Sequence, residues 1–463
     1  MLAIKPASPP RRDMPVRCAL RVGRCILRPR AIALALAFAL QPLWAQTASV
    51  GMANLLVRGL AQPAGAGVVL PAGGTAVMGQ ASFDTSKPNA LWVTTHNAAG
   101  TRQSVINWQS FSIGAGGATY FQQPDAASTS INRVISNTPT LILGTLGSNG
   151  KLVLVNQSGI AVGAGAAVDT AGFTASTLQL SDADAAAGRM RFGGPSADTS
   201  ATPGISVQGQ IVARQGDVVL VAPMVSTGER ALIQAPNGNT VLAAGRQVEI
   251  SGRGLEGIAL LAQAPSDQVL NLGTLQGNAV GIFAGTLTHS GWIQATQITQ
   301  DGARVLLKAS GDAIVNAKAR ILATGDVGGN VQVLGQRVAL LDQAGIDASG
   351  THGGGTVLVG GDYHGSNPAV SNARMTYVGS DVRITADAIE RGAGGKVVVW
   401  ADEATRMHGI ISARGGAAGG AGGFVETSGQ QFLDVEGARV LASGAPGTAG
   451  TWLLDPNDVE IIH

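Results

Sequence analysis

The side chains of this chain that could do chemistry are few and poorly grouped. The histidines His96, His289, His352, His364, His408 and His463 are scattered, with no His-x-x-x-His or His-Glu-x-x-His spacing, so no pair has the separation a zinc site uses. The only cysteines, Cys18 and Cys25, lie so early that every later residue lacks a thiol partner. Asp402-Glu403 is an adjacent acidic pair, but strand neighbours point to opposite faces, which argues against shared acid-base work. Gly-x-Ser-x-Gly and phosphate-loop patterns are absent. These patterns predict no catalytic residue, no cofactor and no metal, although the fold by itself does not decide activity. One polar motif stands out: Asn156-Gln157-Ser158-Gly159-Ile160 follows the apolar run Leu152-Val153-Leu154-Val155. Its Asn and Gly suit a tight turn at a strand end, with Gly159 left-handed.

The elements that must carry such turns are short strands. Of 463 residues 66 are Gly, 4% are aromatic and 13% are charged, against a usual charged share of roughly 25%. Disordered chains combine low hydrophobicity with high net charge, whereas this chain is 45% hydrophobic with a formal charge of +2. An ordered, repetitive all-β protein fits. Val218–Val221, Val305–Leu307, Val331–Val333, Val357–Val359 and Val397–Trp400 join Leu152–Val155 as the clearest strands, separated by Gly, Asn and Asp. The nearest helical candidate is Thr177 to Met190, whose Ser-Asp-Ala-Asp-Ala-Ala-Ala run reads equally as a loop.

A Gly-Gly-x-Val-x-Val unit recurs at Gly328, Gly354 and Gly394, and Gly422-Gly423-Phe424-Val425 begins another round. The start-to-start spacings of 26, 40 and 28 residues read as one or two turns of a right-handed parallel β-helix with loops of varying length. No single coil can bury its apolar face, but stacked coils align their Val and Ile positions into one continuous core. With coils of about 22 residues stacked about 4.8 Å apart, the chain after residue 45 would form roughly 19 coils and a rod on the order of 90 Å long. A sandwich or propeller also gives short, evenly spaced strands. The low aromatic content and the recurrence of the same residue types at one offset favour the β-helix.

The start of the chain reads differently. Eight basic residues face only Asp13 before Gln46, a balance of +7, which leaves −5 for the rest. The apolar run Ala31–Leu40 is too short to span a bilayer but suits a signal-peptide core, with Ala45 the expected last residue removed and Gln46 the first retained. Residues 1–45 are therefore expected to be a signal peptide with an extended basic region. The mature chain would lack cysteine and any integral membrane span, so its stability must come from packing. Without a dense basic stripe it carries no footprint of nucleic-acid binding.

Between Arg102 and Leu178, Ile106-Asn107-Trp108, Phe111-Ser112-Ile113-Gly114, Ile131-Asn132-Arg133-Val134, Ile142-Leu143-Gly144 and the Asn156 turn occur in an order that resembles exoproteins of the filamentous-haemagglutinin type. There the segment is the two-partner secretion domain. The resemblance implies an N-terminal capped secretion domain on a parallel β-helix. It also implies a role in secretion for Asn132 and for the turn Asn156, Gln157, Ser158, Gly159 and Ile160. The family turn is usually Asn-Pro-Asn-Gly-Ile, so Gln157-Ser158 is a departure. A buried Asn can satisfy the backbone of adjacent turns, which gives Asn132 a structural reading as well. Asn107 and Trp108 are structural motif positions, with Trp108 packed in the core or against a cap. Gly395–Ile462, with Lys396–Asp402, Gly422–Gly429 and Gly450–Pro456, is similar to the region that follows in large adhesins of this type.

The expected organisation is a secretion and haemagglutination-activity-like domain over 46–300 and adhesin-type β-helix repeats over 301–463. The ending after Ile462 reads as a truncated gene or a short variant. The implied partner is an outer-membrane two-partner secretion transporter with periplasmic POTRA domains. A host cell surface or glycan is a further expected partner, and the expected destination is secreted or bacterial cell-surface, after the periplasm. The competing functional readings are the N-terminal stalk of a contact-dependent toxin delivery protein and a β-helix polysaccharide lyase. The lyase would need acidic and basic side chains clustered on one outward face.

Overall fold

The computed structural model describes residues 2–4, 68–193, 203–252, 255–296 and 303–455. Of the expected signal peptide only Leu2–Ile4 is described, as a short strand parallel to Trp452–Leu454 in the first of the sheets below; the Ala45/Gln46 junction lies outside these residues, as does the end beyond Asp455. The described chain winds through three long, almost wholly parallel sheets of 15, 11 and 14 strands, here called sheets 1, 2 and 3. One turn runs through Lys151–Val155 in sheet 1, Ile160–Val162 in sheet 2 and Ala167–Thr170 in sheet 3, then returns to sheet 1 at Gly172–Ser176. The return strand lies beside the first in parallel register, Lys151 opposite Gly172. This is the expected parallel β-helix.

All six strand expectations fall in sheet 1, for a physical reason. Several of its strands are buried on both faces and so read as continuous apolar runs. Val218–Ala222 and Thr240–Ala244 are buried at every position. Strands of sheets 2 and 3, such as Met224–Thr227 and Leu232–Ala235, have one face in the lumen and one outward, and alternate. The lumen is one continuous core in which columns such as Val331, Val357, Val397 and Val425 stack coil on coil. Outside sheet 1 lie two further apolar clusters. The first sits beneath an insertion holding a short helix and a three-stranded antiparallel sheet. The second, Leu334, Leu358, Val370, Val398 and Trp400, lies at the segment between Val359 and Met375.

The insertions change three expectations. Asp182–Ala187 is a helix, capped by Ser181, whose side chain accepts from Asp184 N, and closed by left-handed Gly188. The 40-residue spacing is one coil rather than two, because Thr356 lies directly opposite Lys396 and the extra residues form a loop containing the 3-10 turn Tyr363–Gly365. The described residues form 13 parallel rungs in sheet 1, from Gln103–Trp108 to Thr451–Leu454. That is a rod of about 60 Å rather than 90 Å. Coils of 25 to 28 residues and the insertions consume the length that 22-residue coils would have spread over more turns.

The Gly-Gly repeats mark the corner from sheet 3 back to sheet 1. A Cβ on Gly355 would lie 2.1 Å from Gly329 O, and one on Gly395 would lie 2.0 Å from Gly355 O. Each glycine thus stacks on the previous coil with no room for a side chain. The N–H of Gly355 donates to Ala348 O at 2.8 Å, and the N–H of Gly395 to Ala386 O at 2.7 Å, closing the loop of each coil on itself.

The first rung is closed by antiparallel strands. Thr75–Met78 pairs with Gln103–Trp108, and Gln80–Asp84 pairs with Ala90–His96. Gly79 turns the chain between them at φ +74°, where a Cβ would strike His96 O at 2.4 Å.

Candidate functional site

The sequence-selected residues form two buried hydrogen-bonded groups in successive early coils. Trp108 ends the first rung with its ring in the lumen, edge-on to Phe83 of the cap at 5.4 Å and to Phe111 at 5.3 Å. Its Nε1 donates to Asn132 Oδ1 at 3.0 Å, and Asn132 Nδ2 donates to Ser130 O and Ser130 Oγ at 3.1 and 3.2 Å. An indole N–H in an apolar lumen needs such an acceptor. Core packing and cap packing are therefore the same contact. Asn107 points to the other face, where its Oδ1 accepts from Arg133 Nε at 3.1 Å. Arg133 reaches on to Leu180 O and to Asp182, tying the first two rungs to the helical insertion.

One coil later, Asn156 is fully buried at the corner after Val155. Its Oδ1 accepts from Ser158 N at 2.9 Å, and its Nδ2 donates to Thr138 O at 3.0 Å and Thr140 Oγ1 at 2.8 Å. The backbone completes the turn: Gly159 N donates to Asn156 O at 3.1 Å, and Thr140 N donates to Gly159 O at 2.9 Å. Gly159 has φ +108°, the left-handed backbone its turn predicts. Ile160 N donates to Gly204 O in the next coil, so the turn links three coils. Gln157 is exposed, Ser158 is half-buried and contributes a backbone N–H. The two positions that depart from the family turn are thus the ones whose side chains the turn does not use for its hydrogen bonds.

Sequence reasoning missed other buried polar groups because their partners lie 18 or more residues away. Gln123 Nε2 donates to Ser148 Oγ and to Lys151 O, while Asn149 Nδ2 donates to Gln123 O. Within the lumen, Thr227, Asn271 and His289 occupy one column of sheet 2. Thr227 Oγ1 donates to Asn271 Oδ1 at 2.5 Å, and Asn271 Nδ2 lies 3.0 Å from His289 Nδ1. Burial pushes His289 down to about 4, so it is neutral at physiological pH. A polar residue at the same inward strand end in three successive coils was the available signal.

At the far end, Glu426 is buried in sheet 1 and accepts from His364 N at 3.2 Å. Burial raises its carboxyl above the usual range. His364 Nδ1 lies 2.6 Å from Asp455 Oδ2. Asp402 accepts from Trp400 Nε1 at 2.9 Å while Glu403 accepts from Arg374 Nε at 2.7 Å, so the adjacent acids serve separate bonds. Among the described residues no three His, Cys, Asp or Glu side chains could hold a metal ion.

A capped first turn, a buried asparagine turn and coil-on-coil stacking define a β-helical secretion module. Residues 68–333 match the family described as the TPS secretion domain, and the chain belongs to that family, whose exoproteins are secreted through the outer membrane. The crystal structure of the HMW1 secretion domain from Haemophilus influenzae superposes with a TM-score of 0.69 at 28% identity, covering 83% of this chain and 100% of that domain. A heme/hemopexin-binding protein of Haemophilus influenzae, strain ATCC 51907, is 37% identical over 111 residues, which are 24% of this chain and 12% of that protein. A second protein of that description is 37% identical over 81 residues, 18% of this chain and 9% of its own length. The matches thus span about an eighth or less of these curated relatives. No helix among the described residues is long and apolar enough to cross a membrane.

Proposed function

We propose that this chain is an adhesin-type exoprotein, secreted or held at the bacterial cell surface. Its N-terminal coils engage the periplasmic POTRA domains of a dedicated outer-membrane transporter. The observation that carries this reading is the full coverage of a solved secretion domain by a chain whose early coils hold the matching asparagine turn. The absence of cysteine after residue 25 suits a chain threaded unfolded through a pore. The cap occupies the N-terminal edge of the stack, so new coils can add only at the other edge. Nearest-neighbour stacking then makes folding vectorial as the chain emerges. In this reading Asn132 and Asn156 act by fixing the first coils, and the segments 46–300 and 301–463 are the secretion domain and the adhesin-type shaft.

The test is secretion from a host with and without the transporter, for wild type and Asn156→Ala. Extracellular yield should require the transporter and fall several-fold in the variant, which orphans Thr138 O and the Ser158 N–H at a cost of roughly 1–3 kcal/mol. Equal yield in all four cases would remove the secretion reading.

A further inference from the structure

Among the described residues the outer face of sheet 3 carries neither of the insertions that cover sheet 1, and it holds a groove of about 650 Å³. Trp292, Arg320, Gly345 and Arg383 follow one another at successive rungs of that face, while their neighbours Ile293, Ile321, Ile346 and Ile384 fill the lumen. Trp292 is 45% exposed, and among the described residues no ring or cation packs on its indole. Gly345 makes the hollow: a Cβ there would lie 3.2 Å from Arg320 Cδ and Nη1. The Arg320 guanidinium is held in place by the carbonyls of Lys318, Ala319 and Gln343, at 3.1, 3.1 and 2.8 Å. None of these neutralises its charge. Arg383 is exposed and has no carboxylate partner among the described residues. Asp347 and Asp381 line the same groove.

We propose that this groove binds an oligosaccharide containing hexuronic acid. A pyranose ring presents C–H bonds that pack on an indole face, and its carboxylate matches the fork of an arginine. Rungs lie about 4.8 Å apart, close to the length of one sugar residue, so successive residues meet successive rungs. The two aspartates accept hydrogen bonds from sugar hydroxyls. They also repel a chain with several charges on each ring, which favours a uronate over a polysulfated glycan. The assignment uses only this face and is independent of the export reading.

Isothermal titration of the purified chain with oligogalacturonate, its methyl ester and a dextran sulfate oligomer tests it. The free acid should bind. Trp292→Ala and Arg383→Gln should each weaken it by roughly tenfold or more, with thermal midpoints unchanged because both side chains are exposed. The ester should bind wild type no better than the acid binds Arg383→Gln. No binding of the free acid at millimolar concentration, unchanged affinity in both variants, or tighter binding of the sulfated oligomer would overturn the proposal. Export measured in parallel should be normal in both variants, which separates failure here from failure of the secretion reading.

Discussion

The first and last coils build the same β-helix by different means. Early coils are 26, 22 and 21 residues long over the Gln103, Thr129, Lys151 and Gly172 register, and are bonded within and between coils by buried side chains such as Asn132, Asn156 and Gln123. Late coils repeat every 26 to 28 residues apart from the 40-residue one, and fix their corners with stacked glycines whose backbones bond directly. Side-chain bonds are specific to one residue pair and fix one register. Glycine stacking needs only the absence of a side chain, so it can be repeated from coil to coil. The contrast fits a start that must form uniquely and a shaft that must extend.

Three measurements test the contrast. The largest effect is expected in the shaft: Gly355→Val places a side chain against Gly329 O and the neighbouring backbone, where nothing flexible can yield. A loss of more than about 4 kcal/mol is expected, read as early protease cleavage of the late coils while the early ones persist. Uniform unfolding of the rod would show that the two regions are not separable. At the start, Trp108→Ala removes the ring beneath the cap and orphans Asn132 Oδ1. It should cost about 3–5 kcal/mol in denaturant unfolding, and a cost below about 1 kcal/mol would remove the cap contact as the anchor of the first rung.

The smallest effect is in the middle coils, where side-chain bonding reaches into the lumen. His289 has a folded pKa of about 4, below its ordinary 6.5, so the unfolded chain binds its proton first. Stability should therefore be complete above about pH 6.5, fall by on the order of 3 kcal/mol between there and pH 4, and level off below. In His289→Leu this part of the acid limb should be absent from urea-unfolding profiles. An unchanged profile would show that the column does not titrate.

Much of this was legible from local pattern. Apolar runs such as Leu152–Val155, Val218–Val221 and Val397–Trp400 marked sheet 1, since burial on both faces leaves no alternation to disguise them. The Asn156 turn was readable because its Asn and Gly lie three residues apart and bond locally. Strands of sheets 2 and 3 were harder, most being three or four residues long and many, such as Ala167–Thr170 and Met224–Thr227, only half apolar. The 40-residue spacing left one turn and two open because a loop and a second coil add the same length to the sequence, and the register of Thr356 opposite Lys396 decides for one. The Trp108 to Asn132 bond joins residues 24 apart, and the groove joins Trp292 to Arg383 across three intervening register steps.

By itself the sequence determined the class of the fold and its repeating unit, because hydrophobic alternation and glycine placement act over a few residues. The tertiary structure alone decided which strand faces lie open, which polar groups share a bond and where the insertions cover the rod. Those outcomes depend on register between coils, and register is a property of the stack that no single coil contains.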